Sequence, residues 1–106
     1  LNNRRYSMNL EEETKKIREK VGEDCGIGGK IKFDLGDVGV IFVDASIIPN
    51  LVNNNNDDAD CTITLSSEDF MQIQSGELDP TTAFMMGKLK IDGNMGLAMK
   101  IQGMMG

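Results

Sequence analysis

The chain changes its hydrophobic period several times after residue 10. Residues 10–21, LEEETKKIREKV, set Leu10, Thr14, Ile17 and Val21 on one helical stripe. Glutamates fill its first turn, basic residues follow, and Gly22 stops it, as the helix dipole favours. The stripe is narrow, which predicts loose packing. KIKFDL (30–35) then alternates Ile31, Phe33 and Leu35 against Lys32 and Asp34, the period of a half-buried strand. VGVIFVDA (38–45) is apolar almost throughout and reads as a central strand buried on both faces. A third short strand is expected around Ile47–Val52, made irregular or an edge by Pro49. NNNNDD (53–58) is a polar loop, and CTITL (61–65) alternates again.

The second half is helical at first. Ser66 with Asp69 three residues on is a variant capping box, and Gly76 supplies the stop. Phe70, Met71 and Ile73 face inward on that pattern. Asp79-Pro80 repeats the start signal for TTAFMM, which ends at Gly87. KLKID (88–92) is a last strand, Gly93 turns the chain, and Asn94 caps a closing helix over 95–105. Helices and strands do not strictly alternate, so an α+β layer of helices on a mostly antiparallel sheet fits. Residues 1–9 read as a tail or linker before a domain of 10–106.

Composition adds three constraints. One domain accounts for 106 residues, and with four Phe, one Tyr and no Trp the interior must be aliphatic and methionine-rich. The net charge of −6 is uneven: residues 21–87 hold only Lys30 and Lys32 against twelve acids, whereas 88–106 hold Lys88, Lys90 and Lys100 against Asp92. An acidic body lacks the clustered cations that release counterions from a phosphate backbone, which excludes nucleic acid as a partner. The C-terminal lysines can meet an anionic head group or lipid surface, or simply be solvated. Two cysteines, Cys25 and Cys61, are too few for a disulfide-stapled secreted domain and read as free thiols in a reducing compartment. No run is long and apolar enough to span a bilayer, and the N-terminus has no signal-peptide core.

Candidate chemistry is sparse. Without histidine, His-based catalysis and His-ligated zinc are excluded. Capping accounts for the hydroxyl and carboxylate of SSED, and no base stands near to activate a serine. Asp57, Asp58 and Asp60 do not follow an EF-hand loop, and GIGG (26–29) lacks the lysine of a phosphate loop. Met95 and Met99 lie one turn apart, but with no histidine and no close cysteine pair they make a poor copper site. No catalytic constellation and no cofactor emerge. What stands out is the closing helix. Met95, Leu97, Ala98, Met99, Ile101, Met104 and Met105 cover nearly its whole circumference, and Gly96 and Gly103 weaken it by about 1 kcal/mol each. Such a helix serves either as ordinary core or as a soft surface that adapts to varied apolar guests.

Residues 59–104, ADCTITLSSEDFMQIQSGELDPTTAFMMGKLKIDGNMGLAMKIQGM, closely resemble the C-terminal half of the sterol carrier protein 2 (SCP-2) family. The likeness runs through Asp60-Cys61-Thr62-Ile63, Glu68–Phe70, Gly76, Pro80, Ala83, Phe84, the run Gly87–Ile91, Gly93, Asn94, Met95 and Leu97–Lys100. Residues 29–45 fit the family's first two strands more loosely. The chain departs from the pattern in its short, polar N-terminal helix, in ending at Gly106 without a Ser-Lys-Leu address, and in carrying Ile41 where a second-strand tryptophan is common.

The resemblance implies a five-stranded, mostly antiparallel sheet covered on one face by helices, with a hydrophobic tunnel between the layers. It implies non-catalytic binding and transfer of fatty acids, fatty acyl-CoAs, sterols or phospholipids in the cytoplasm or peroxisome. Its alternative is an auxiliary domain of a peroxisomal β-oxidation enzyme that presents acyl-CoA to a catalytic partner. Transient membrane contact, a peroxisomal import receptor and fused enzyme domains are further implied partners. The expected lipid-contacting residues are Phe33, Phe42, Phe70, Met71, Ile73, Leu78, Phe84, Met85, Leu89, Ile91, Met95, Leu97, Met99, Ile101 and Met104. Lys88, Lys90 and Lys100 are the candidates for a head group.

Overall fold

The structure, a computed structural model, describes residues 8–105. Their order is α1 (Leu10–Val21), β1 (Lys30–Asp34), a 3₁₀ turn (Gly36–Val38), β2 (Val40–Asp44), β3 (Leu51–Asn53), β4 (Cys61–Leu65), α2 (Ser67–Ser75), α3 (Pro80–Met85), β5 (Leu89–Gly93) and α4 (Met95–Met105). The five strands form one sheet in the order β3-β2-β1-β4-β5. β1 and β4 run parallel, and the other neighbours are antiparallel.

Local chemistry sets the helix starts. Asn9, Ser66, Asp79 and Asn94 accept backbone N–H bonds from Glu12, Asp69, Thr82 and Leu97, which would otherwise be unpaired at a helix N-terminus. The Asp69 carboxylate does not complete a reciprocal box; it stands 3.9 Å from the Lys88 ammonium. Gly76 closes α2 in the left-handed region, at φ 85°.

Strand alternation divides the sheet into two faces. Ile31, Phe33, Ile41, Val43, Val52, Cys61, Ile63, Leu65 and Leu89 form one buried cluster with Ile17 and Val21 of α1, Phe70 and Ile73 of α2, Ala83 of α3, and Leu97, Ala98, Ile101 and Met105 of α4. All four helices therefore cover the same face. The rings of Phe33 and Phe70 meet edge to face at a centroid distance of 5.4 Å, at the middle of this layer.

β2 is buried throughout and lies inside the sheet between β3 and β1, as its apolar run predicts. Two features differ from the sequence pattern. The third strand begins only at Leu51, after the loop that holds Pro49, and is an edge of the sheet. The narrow stripe of α1 does not pack loosely. Glu13 and Thr14 are buried beside Ile17, and polar bonds to other elements make up for the few apolar positions. Of residues 1–9, positions 1–7 lie outside the described residues, while Met8 packs against the core and Asn9 caps α1.

Candidate functional site

The layer between sheet and helices gathers Phe33, Phe70, Ile73, Leu89, Leu97 and Ile101, with Leu78, Ile91 and Met104 partly buried at its margin. It is closed. A side chain facing a void wider than a water molecule keeps accessible surface. Ile31, Ile41, Val43, Cys61, Phe70, Ala83 and Ala98 keep none, and Phe33, Ile73 and Ile101 keep 1%. These residues thus pack against one another, with no open tunnel between them. Isoleucine, phenylalanine, valine and alanine side chains fill the space that a guest would need.

The other expected residues sit elsewhere. Phe42 is buried but points to the reverse face, in register with Lys32 and Asn53. A one-residue step along a strand reverses the face, and the unbroken apolar run of β2 hid which residues went which way. Met71 lines an open groove of about 580 Å³ with Glu13, Lys16, Glu68, Gln72, Ser75 and Glu77. Six of its seven lining side chains are polar or charged, although their stems and Met71 give it much apolar surface, and it lies outside the cluster between sheet and helices. Phe84, Met85, Met95 and Met99 are exposed, Met85 by 80% and Met99 by 69%. The three lysines do not converge. Lys88 stands by Asp69, Lys90 is on the reverse face opposite Thr64, and Lys100 is on the outer side of α4.

The helices are fastened unequally. Arg18 of α1 donates from Nη2 to the Val52 carbonyl at 2.8 Å. Asn54 donates from Nδ2 to Thr14 Oγ1 at 2.9 Å and to the Val40 carbonyl at 2.8 Å. α1 is thereby tied to the β2–β3 side of the sheet. α4 packs on β4, β5, α1 and α3 through Leu97, Ala98, Ile101 and Met105. Among the described residues its one hydrogen bond to another element comes from Lys20 of α1. The Lys20 Nζ donates to the Met105 carbonyl at 2.9 Å and to Gln74 Oε1 at 2.7 Å. Partial burial of the ammonium lowers the Lys20 pKa from the ordinary lysine value; Glu13 opposes the shift and Lys16 adds to it. Reading the sequence alone missed Lys20, Arg18 and Asn54, since no periodicity marks a side chain that bonds a distant backbone.

Cys61 is fully buried in the layer, and burial together with Asp92 raises its thiol pKa. Neither it nor Cys25 is paired. Among the described residues no helix is long and apolar enough to cross a membrane.

The model of the SCP-2 sterol transfer family matches residues 1–106. The chain belongs to this family. It is 51% identical to human sterol carrier protein 2 over 57 residues, which are 54% of this chain and 10% of the human protein. The chain thus spans about a tenth of the length of the curated relatives it matches. Among solved structures it is similar to apo sterol carrier protein 2 of Yarrowia lipolytica. The TM-score is 0.64 at 27% identity, and the match covers 89% of this chain and 73% of that one. It also shares the fold of palmitated SCP2L2 from Aedes aegypti, with a TM-score of 0.67 at 23% identity, covering 92% and 95% of the two chains. Membership of the SCP-2 family assigns the chain to lipid binding and transfer in general, and the five-stranded sheet with helices on one face is the family architecture.

Proposed function

We propose that the chain is a non-catalytic carrier that takes one long acyl chain, as a fatty acid or fatty acyl-CoA, between its sheet and α4. The observation that carries this reading is the unequal fastening of the helices. α4 closes an aliphatic layer through apolar contacts and, among the described residues, a single polar tie to another element, and two glycines lower its intrinsic helix stability by about 1 kcal/mol each. Enclosing a chain gains about 0.8 kcal/mol per buried methylene, so a dozen methylenes supply roughly 10 kcal/mol before costs. Local opening of α4 alone takes only part of the global stability of about 5–15 kcal/mol. The guest replaces the contacts that the helix gives up.

Phe33, Phe70, Ile73, Leu89, Leu97, Ile101 and Met104 are the proposed walls of the opened state, with Leu78 and Ile91 at its rim. Met71, Phe84, Met85, Met95 and Met99 would join only if α3 and α4 turned as they opened, and Phe42 faces away. Lys100 is the proposed partner of a carboxylate or phosphate, since it rides on the moving helix. Sterols and phospholipids are bulkier guests of the same layer, and the proposed place of action is the cytoplasm or peroxisome.

A displacement titration tests this reading: palmitate should displace a fluorescent fatty acid saturably at a single site. No saturable displacement would remove the proposal. The alternative, an auxiliary domain presenting acyl-CoA to a fused or bound β-oxidation enzyme, is favoured by the greater length of the human relative, of which the 57 matched residues are only 10%. Native mass spectrometry of the full gene product from cells separates the two by its mass and its co-purified lipid.

A further inference from the structure

Glu13 is a buried charge that the lipid layer does not use. It is 5% exposed, and the other acids of α1 stand in solvent. A carboxylate leaves water at a cost that only hydrogen bonds and an opposite charge offset. Both of its oxygens are engaged. Oε2 accepts from Lys16 Nζ at 3.1 Å, and Oε1 accepts from Gln74 Nε2 at 3.4 Å. Gln74 lies on α2, and its own oxygen accepts from Lys20 Nζ at 2.7 Å. An ammonium only donates and an ionised carboxylate only accepts, so these two neighbours fix which way the Gln74 amide faces. Lys20 then reaches the Met105 carbonyl. A polar chain thus runs Glu13–Gln74–Lys20–Met105 and joins three helices. Among the described residues every hydrogen bond between α1 and α2 ends on Gln74.

We infer that Gln74, held by Glu13, is a positioning residue for α4: it keeps the Lys20 ammonium on the Met105 carbonyl and so sets how often the closing helix opens. This rests on the lipid-carrier reading and names what regulates it. A lysine stem has many rotamers, and an exposed ammonium gains little from a single acceptor. A second acceptor 2.7 Å away narrows those rotamers to the ones that also reach α4. The Gln74 amide is itself held at its far end by the buried carboxylate, and hydrogen bonds in a chain strengthen one another. α1 is a fixed base for this chain, since Arg18 and Asn54 tie it to the β2–β3 side of the sheet. α4 is anchored at its other end, where Asn94 donates its N–H to the Asp60 carbonyl at 2.9 Å. The end that can leave is therefore the one that Lys20 holds, and a guest would enter beside Gln74.

A double-mutant cycle on the full chain tests the inference, read by hydrogen exchange and by the rate of palmitate uptake. Gln74→Met keeps the length of the side chain and removes both of its bonds. It should speed exchange in α4 and palmitate uptake by roughly three- to tenfold, the effect of one hydrogen bond, with α1 unchanged. Lys20→Met should act alike, and the double variant should be no faster than Lys20→Met alone, because both break the same hold. Glu13→Gln, which keeps the shape and removes the charge, should speed uptake in the parent and not in Gln74→Met. Three results would each overturn the inference: accelerations that multiply in the double variant, Gln74→Met exchange in α4 equal to the parent's, or exchange that quickens evenly over the chain. The exchange arm needs no lipid, so the two readings fail separately. A parent that takes up no palmitate would overturn the carrier reading, while exchange still decides the hold on α4.

Discussion

Lys20 and Met105 are joined across 85 residues of sequence, by an ammonium of α1 donating to the last carbonyl of α4 at 2.9 Å. A cation at a helix C-terminus meets both an unpaired carbonyl and the negative end of the helix dipole. Lys20→Met keeps the side-chain length and removes the bond. Its expected cost is about 0.5–1 kcal/mol, because the lysine is largely exposed. The effect should be local. Hydrogen exchange should accelerate in α4 but not in α1, and fatty-acid uptake should become faster. Uniform acceleration across the chain would show that α4 does not open on its own.

Two glycines lie at the start of the same helix and should respond differently to a methyl group. At Gly93, with φ of 107°, a Cβ would stand 2.3 Å from the backbone carbonyl oxygen of Asp60, which cannot move without breaking its bond to the Asn94 N–H. Gly93→Ala should cost about 3 kcal/mol or more by chemical denaturation. At Gly29 the Cβ would meet the tips of Leu97 at 2.6 and 3.0 Å, and these can rotate. Gly29→Ala should cost about 1 kcal/mol and displace Leu97 at the base of α4. A reversed order of stabilities would contradict the packing described.

The two thiols should separate in reactivity. Cys25 is partly exposed and Cys61 fully buried. A raised pKa keeps the Cys61 thiol protonated, and only the thiolate reacts. Alkylation of the native chain should label Cys25 first and Cys61 only after unfolding. The folded Cys61 thiol holds its proton to higher pH than the unfolded one. The stability that it contributes is therefore complete below the ordinary thiol value of 9.0 and is lost as pH rises through the folded value. The alkaline loss of stability should shrink in Cys61→Ala, measured from melts across that range.

Much of the fold could be read from the sequence, because caps and periods are local. Asn94, Asp79-Pro80, Ser66 and Gly76 announce their helix ends, and KIKFDL and CTITL alternate cleanly. The site was only partly legible. A helix apolar on every side gives no sign of which residues it buries, so Leu97 and Ile101 could not be told from Met95 and Met99. The face of Phe42 was equally hidden within an unbroken run. Lys20, Arg18 and Asn54 act through distant backbone atoms, which leave no trace in spacing. The parallel pairing of β1 with β4 joins strands some thirty residues apart and is likewise a tertiary choice.

The central claim is that a guest chain enters beneath α4, and the methionines report on it directly. Met104 is half-buried at the inner margin of the helix and Met105 is buried, while Met85 at the end of α3 and Met86 just after it are exposed. With methyl-labelled methionine, palmitate should move the Met104 and Met105 signals saturably at a single equivalent and leave Met85 and Met86 nearly still. Shifts confined to Met85 and Met86, or no saturable shift of Met104 and Met105, would contradict the account.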